Sequence, residues 1–214
     1  MVRMSDFTLY LITDRHQTGG RPLTEVVRAS LEGGVRAVQL RGKDLPATEL
    51  YRLAVELRRL TSDFGATLII NDRPDIALAA DADGVHIGVS SLPVAAVRRI
   101  MGRDRVVGYS AHAIDEALRA EADGADFVTF GPVYHTPSKA SYGAPCGVKK
   151  LAEAVSALKI PVIALGGISP ANITEVLSAG IHGIAVISAV LAAANPRVAA
   201  ASLLEKIEEY AQRP

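Results

Sequence analysis

The sequence predicts a single (β/α)8 TIM barrel, an α/β fold, occupying residues 1–214 as one domain. Two observations carry this reading. Short runs rich in Val, Ile and Leu recur along the chain, separated by amphipathic stretches of helix length. Their near-continuous apolar content suits strands buried on both faces, as in a parallel sheet covered by helices. A weak internal repeat is the second observation. Glu32-Gly33-Gly34-Val35, Ala82-Asp83-Gly84-Val85, Ala122-Asp123-Gly124-Ala125 and Ser178-Ala179-Gly180-Ile181 each stand where a helix closes before a strand. Gly supplies the left-handed cap at such junctions. A doubly wound open sheet is the alternative, but it usually carries a Gly-rich turn after its first strand. Here that strand ends in Thr13-Asp14-Arg15, without G-x-G-x-x-G.

The predicted strands are Leu9–Thr13, Ala37–Arg41, Thr67–Asn71, Gly84–Ile87, Arg105–Tyr109, Phe127–Gly131, Val162–Gly166 and Ile184–Ser188. The helix pattern is clearest at Leu50, Leu53, Ala54, Leu57 and Leu60, spaced three and four apart. Hydrophobic residues make up 49% of the 214, enough for a large core and too many for a disordered chain. Lys+Arg and Asp+Glu balance at 23 each, so no basic excess drives binding to nucleic acid or an anionic membrane. Cys146 has no second cysteine to pair with, which suits a reducing compartment. The start of the chain does not read as a signal peptide, and the alanine-rich 184–201 region is broken by Asn195, Pro196 and Arg197. The expectation is a cytoplasmic protein with a small-molecule partner, for which a homo-oligomer is compatible.

In such a barrel, chemistry sits at the C-terminal strand ends. Gln39 and Arg41 share one side of the second strand, with Lys43 just beyond. Two cations converging on one pocket call for an anion between them, and phosphate or diphosphate is the obvious one. The bland alternative is a pair of surface cations, or Arg41 paired with Asp72. Asp72, in Asn71-Asp72-Arg73-Pro74, is placed to ligate Mg²⁺, orient a base or cap the following helix. Gly166-Gly167 and Ile187-Ser188 end the last two strands, where barrels commonly hold phosphate on backbone N–H groups. Ser110 and His112 follow the fifth strand, and a cavity-facing His is a ready general acid/base. His86 lies inside the fourth strand, suited equally to packing and to substrate contact. His16, His135 and His182 lack metal-ligand spacing. The long 132–145 loop offers Thr136, Ser138 and Lys139 as phosphate donors.

Taken in order, Gln39-Leu40-Arg41-x-Lys43, Ile70-Asn71-Asp72-Arg73, Asp83-Gly84-Val85-His86-Ile87-Gly88, Ser110-Ala111-His112, Gly131-Pro132-Val133, Thr136-x-Ser138-Lys139, Ala164-Leu165-Gly166-Gly167-Ile168 and Ala185-Val186-Ile187-Ser188 resemble the thiamine phosphate synthase superfamily. The likeness runs from the second strand to the eighth. It implies one of two activities. The synthase joins hydroxymethylpyrimidine diphosphate to a thiazole phosphate and releases diphosphate, using Mg²⁺. The thiazole tautomerase shifts a proton to aromatise a thiazole phosphate carboxylate and needs no metal. By resemblance, Arg41, Lys43, Asn71, Ser138 and Lys139 match the pyrimidine-diphosphate site, and Asp72 matches one Mg²⁺ carboxylate. Gly166, Gly167, Ile187 and Ser188 match the thiazole-phosphate cradle, and His112 matches the tautomerase's catalytic His.

One departure bears on the choice. The synthase pattern after the fourth strand is Gly-Gln-Glu/Asp-Asp-x-Pro, whose last acid is the second Mg²⁺ ligand. This chain has Gly88-Val89-Ser90-Ser91-Leu92-Pro93, so Ser91 replaces that carboxylate. That run, with Ser138-Lys139 and Pro145-Cys146-Gly147, favours the tautomerase branch over the synthase. A barrel that binds thiazole phosphate as a regulator without turning it over is a third reading, against which His112 argues. A fourth, another phosphosugar isomerase, leaves Gln39-x-Arg41-x-Lys43 unexplained.

Overall fold

Strands buried on both faces have to be covered on both, and closure of the sheet on itself together with a ring of helices achieves this. The computed structural model describes residues 4–136 and 144–212. Its strands are β1 (Leu9–Ile12), β2 (Ala37–Leu40), β3 (Thr67–Asn71), β4 (Gly84–Gly88), β5 (Val106–Ala111), β6 (Phe127–Phe130), β7 (Val162–Leu165) and β8 (Gly183–Val186). All pair in parallel and in chain order, and β8 closes on β1 through Leu9↔Ile184, Tyr10↔Ala185 and Leu11↔Val186. The helices are α1 (Leu23–Glu32), α2 (Ala47–Asp63), α3 (Pro74–Ala79), α4 (Val94–Met101), α5 (Ile114–Ala122), α6 (Gly147–Ala157), α7 (Ile173–Leu177), α8 (Ser188–Leu191) and α9 (Pro196–Ala211). The predicted barrel is therefore the observed one. Strands β1, β2, β6, β7 and β8 end a residue or two earlier than predicted, whereas β4 and β5 run one and two residues further. At β2 the ladder stops where a polar side chain takes over its hydrogen bonds: the N–H of Arg41 donates to Thr13 Oγ1 at 2.9 Å.

Alternation splits the buried residues into two cores. Leu9, Leu11, Val38, Leu40, Leu68 and Ile70 face outward and pack under the helices. Tyr10, Ile12, Ala37, Ile69, Val106, Phe127, Ile163 and Ala185 fill the barrel, joined by Phe7 from a 3-10 turn at Met4–Thr8. The Phe7 ring lies 5.1 Å from Tyr10 and 4.8 Å from Phe127, centroid to centroid. Above this aromatic layer the interior turns polar. Gln39 donates to the Tyr10 hydroxyl at 3.1 Å, and Thr129 Oγ1 lies 3.3 Å from His86 Nε2. Burial pushes the Tyr10 hydroxyl well above its ordinary pKa, so it stays a neutral acceptor.

The N-terminal end of the barrel is held by paired charges. Asp83 accepts the Leu68 N–H at 2.7 Å and pairs with Arg58 of α2; Asp126 accepts the Val107 N–H at 2.7 Å and pairs with Arg98 of α4. Each carboxylate thus ties a strand start to the neighbouring strand and to a helix.

The internal repeat needs one correction. Gly34, Gly124 and Gly180 have φ of 101°, 100° and 74°, as a left-handed cap requires. Gly84 instead opens β4, and the left-handed residue at its junction is Asp81, with φ 51°. What demands glycine at 84 is a close approach: a Cβ there would lie 2.2 Å from the Val106 carbonyl oxygen. Gly84→Ala should therefore lower the unfolding free energy by about 1–3 kcal/mol through overpacking. Urea denaturation measures this, and an unchanged midpoint would show that the sheet absorbs the methyl group.

Candidate active site

The inward-facing ends of the strands form the floor of a two-lobed pocket at the C-terminal end of the barrel. The first lobe, a cavity of about 150 Å³, is lined by Gln39, Arg41, Lys43, Asn71, Asp72, Ser110 and His112 among others. The second, about 400 Å³, is lined by Pro132, Thr136, Gly166, Gly167, Ile168, Ile187 and Ser188. Gln17, His112, Leu165 and Ile187 line both, so the lobes share a wall. Every described residue proposed for the site from the sequence lies here. Ser138 and Lys139 lie outside the described residues.

The first lobe is organised around Asp72, whose backbone takes a positive φ of 59° at the end of β3. Its N–H donates to the His86 carbonyl at 2.9 Å, which fixes that turn against β4. One carboxylate oxygen, Oδ2, accepts from Asn71 Nδ2 at 2.8 Å and faces Lys43 Nζ at 3.3 Å. The other, Oδ1, accepts from the Ser91 hydroxyl, which itself accepts the Gly88 N–H at 2.9 Å. Two bland alternatives are thereby decided. Asp72 does not cap α3, whose N-cap is Arg73 with no side-chain cap bond, although Pro74 does stand at the first helical turn as expected. The Asp72 ion pair is with Lys43 rather than Arg41. Arg41 makes no ion pair with a described residue and lines the first lobe. Gln39 is 2% exposed and forms part of the floor, its amide committed to Tyr10.

The second lobe is built on two glycines. Gly166 and Gly167 have φ of 106° and 67°. Added Cβ atoms would lie 2.6 Å from Pro132 Cβ and 2.7 Å from Tyr134 Cβ respectively. The segment after β6 packs onto them, with the Val133 N–H donating to Leu165 O at 2.9 Å and the Tyr134 N–H to Gly166 O at 3.0 Å. Loop packing therefore requires both glycines, beyond any need to leave room for a ligand. Asn172 holds the same turn from the other side. Its Oδ1 accepts the Ser169 N–H at 2.8 Å and its Nδ2 donates to Gly167 O at 2.9 Å. Ser188 opens α8 at the rim.

His112 stands between the lobes, immediately after β5. Its Nδ1 lies 2.5 Å from the Gly131 carbonyl, which requires a proton on Nδ1 and makes Nε2 the basic nitrogen of the neutral ring. Its N–H donates to Glu116 Oε2 at 2.8 Å, so the first turn of α5 fixes the backbone as well. Glu116 also accepts from the Tyr109 hydroxyl at 2.8 Å; burial and that carboxylate push the Tyr109 pKa above its ordinary value. His86 is buried, with its ring against Tyr10 and Phe127, which makes it floor rather than a reactive group. His16 pairs instead with Asp44, which Arg15 and His16 together hold well below the usual carboxylate range. His182 contacts the Met4 carbonyl, far from the site.

Sequence reasoning missed Gln17 and Asn172. Gln17 lines both lobes and donates to Asp14 Oδ2 at 2.7 Å. Its signal was Asp14 itself, which accepts the His16 N–H at 3.0 Å and so turns the chain back over the barrel mouth.

The family model described as thiamine monophosphate synthase matches residues 9–190. A putative thiamine-phosphate synthase of Geobacter sulfurreducens is 58% identical over 199 residues, covering 93% of each chain. The thiamine-phosphate synthase of Moorella thermoacetica is 46% identical over 204 residues, covering 95% of this chain and 97% of its own. Among solved structures, thiamine phosphate pyrophosphorylase from Pyrococcus furiosus is similar with a TM-score of 0.90 and 40% identity, covering 97% of this chain and 98% of that one. A barrel matched over this length, with the motif residues gathered into one pocket, establishes that the chain belongs to the thiamine monophosphate synthase family.

Proposed function

We propose that this thiamine-biosynthesis enzyme is a thiamine-phosphate synthase, joining hydroxymethylpyrimidine diphosphate to thiazole phosphate with release of diphosphate. The observation that carries this is the two-lobed pocket: a cationic lobe with a carboxylate lies beside a glycine-built lobe, across a shared wall. Two phosphorylated substrates that react with each other need two anion-binding lobes in contact. The motif pattern alone favours the tautomerase. The synthase names of relatives at 58% and 46% identity over nearly the whole chain outweigh it. There is a physical reason as well: losing one carboxylate at Ser91 does not abolish a Mg²⁺ site that substrate phosphates help to build.

In this reading Arg41 offers its guanidinium fork to the diphosphate, and Lys43 exchanges Asp72 for a phosphate oxygen. The turn held by Asn172 presents the backbone around Gly167 to the thiazole phosphate, with Ser188 at the opposite rim. Leu165 and Ile187 provide an apolar wall for the rings. Among the described residues no group of three or more His, Cys, Asp or Glu side chains could hold a metal ion. The Asp72 carboxylate and Ser91 hydroxyl are nonetheless hard oxygen donors that fit Mg²⁺, given diphosphate oxygens and water to complete its shell. Bound there, Mg²⁺ would neutralise charge on the departing diphosphate.

The tautomerase stays as a second reading because His112 sits between the lobes with Nε2 as its basic nitrogen. A single assay separates the two. Purified protein with both synthase substrates should form thiamine phosphate and diphosphate with Mg²⁺ present, and none with EDTA. A proton shift on the thiazole phosphate carboxylate that ignores EDTA, without coupling, would replace the synthase by the tautomerase. His112→Asn adds a second discriminator. A synthase should keep coupling within about tenfold, whereas a tautomerase would lose about 10²–10⁴ in turnover. Arg41→Ala should raise the KM for the pyrimidine diphosphate by about 10- to 100-fold, as expected for loss of a charge-assisted bond. Thiazole-phosphate affinity, measured by calorimetry, should not change. An equal loss for both substrates would show that Arg41 serves the whole pocket.

A further inference from the structure

Both oxygens of Asp72 are occupied by side chains of this chain. Oδ1 takes the Ser91 hydroxyl proton; Oδ2 takes an Asn71 N–H at 2.8 Å and faces the Lys43 ammonium at 3.3 Å. The Ser91 hydroxyl has no freedom to turn away cheaply, because its oxygen also accepts the Gly88 N–H at 2.9 Å. The local charge of Asp72 and Lys43 together is zero. A divalent cation arriving alone would meet one carboxylate, already neutralised, and a neighbouring ammonium and guanidinium that repel it. Mg²⁺ gives up its water reluctantly, and a lone neutralised carboxylate offers little in exchange. A diphosphate changes every one of these terms. It gives Lys43 and Arg41 an anion, releases Asp72 from its ion pair, and brings oxygens that chelate the cation.

We infer that this chain takes up its divalent cation only together with diphosphate, with Ser91 as the positioning residue that holds Asp72 as an acceptor rather than as half of a standing metal site. The inference rests on the synthase reading and specifies how that site is loaded. Binding order here is a thermodynamic coupling. Whatever factor diphosphate adds to metal affinity, the metal adds to diphosphate affinity. In a site with two carboxylates the metal would bind the free protein and the coupling would be smaller.

The test uses inorganic diphosphate and Mn²⁺ with the whole protein. Mn²⁺ alone, followed by water-proton relaxation, should show no binding below 1 mM, on the order expected for a single carboxylate. Calorimetry should give diphosphate an affinity at least about tenfold higher with saturating Mn²⁺ than with EDTA. Ser91→Asp should bind Mn²⁺ below about 1 mM without diphosphate, while the uncharged Ser91→Asn should not, circular dichroism confirming that both fold. Sub-millimolar Mn²⁺ binding by the unaltered protein alone would overturn the inference, as would equal diphosphate affinity with and without metal. Both measurements stand even if the Ser91 variants fail to fold. Failure of the synthase reading looks different. Metal-dependent diphosphate binding without any coupling of the two substrates would support the joint loading and sink the synthase. Coupling by a protein that binds Mn²⁺ tightly on its own would do the reverse.

Discussion

The depth of the pocket depends on the aromatic layer formed by Phe7, Tyr10 and Phe127 inside the barrel. Eight parallel strands enclose an interior that side chains have to fill, and here three rings fill its lower part. Once that space is taken, the next inward residues up the strands face a shallower, polar region. Gln39, His86 and Thr129 stand there, buried yet hydrogen-bonded to the layer below or to each other. The following inward positions, Asn71, Gly88, Ser110, Leu165 and Ile187, line the first lobe of the pocket. A stack of packing, bridging and binding layers thus follows from strand alternation and from how far up the rings reach.

The two ends of the barrel treat charge differently. At the N-terminal end, Asp83 and Asp126 each accept a backbone N–H and pair with an arginine from a helix. Moving either carboxylate away would strand a backbone donor, so both are fixed. At the other end, Asp72 is surrounded by side chains only: an amide, a hydroxyl and an ammonium. Lys43 is about half exposed, at 47%, and its ion pair with Asp72 is correspondingly weak. In the proposed synthase, a partner held that lightly is the one free to turn to a phosphate oxygen. Fixed carboxylates mark the scaffold, and an exchangeable one marks the site.

The fold was legible because its signal is continuous: strands such as Thr67–Asn71 are apolar almost throughout, as burial on both faces requires, and the first strand lacks the Gly-rich turn of an open doubly wound sheet. The strand-end residues were legible too, since their polarity breaks that pattern at Arg41, Asn71, Ser110 and Gly166. What could not be read were relations set by the turn beyond a strand. Lys43 lies past the last ladder bond of β2, so alternation no longer tells which way it points, and it reaches Asp72 where Arg41 does not. Gln17 and Asn172 belong to loops whose course follows from local caps, Asp14 to His16 and Asn172 to Ser169. Gly84 was misread because a helix-closing glycine and a crowded strand glycine look the same in sequence. Only the approach of the Val106 carbonyl separates them.

Ser91 shows how a local departure from a family pattern is to be weighed. Read alone, the loss of an acid suggests the loss of a metal and hence a different reaction. In the folded chain the same serine completes the environment of the remaining acid, accepting one N–H and donating its proton to Asp72. The substitution therefore leaves a carboxylate that is oriented but charge-balanced within the protein. Such a group gains its strongest interaction only when a ligand draws Lys43 away. In the proposed synthase, the change would move part of the cation's shell from the protein to the diphosphate.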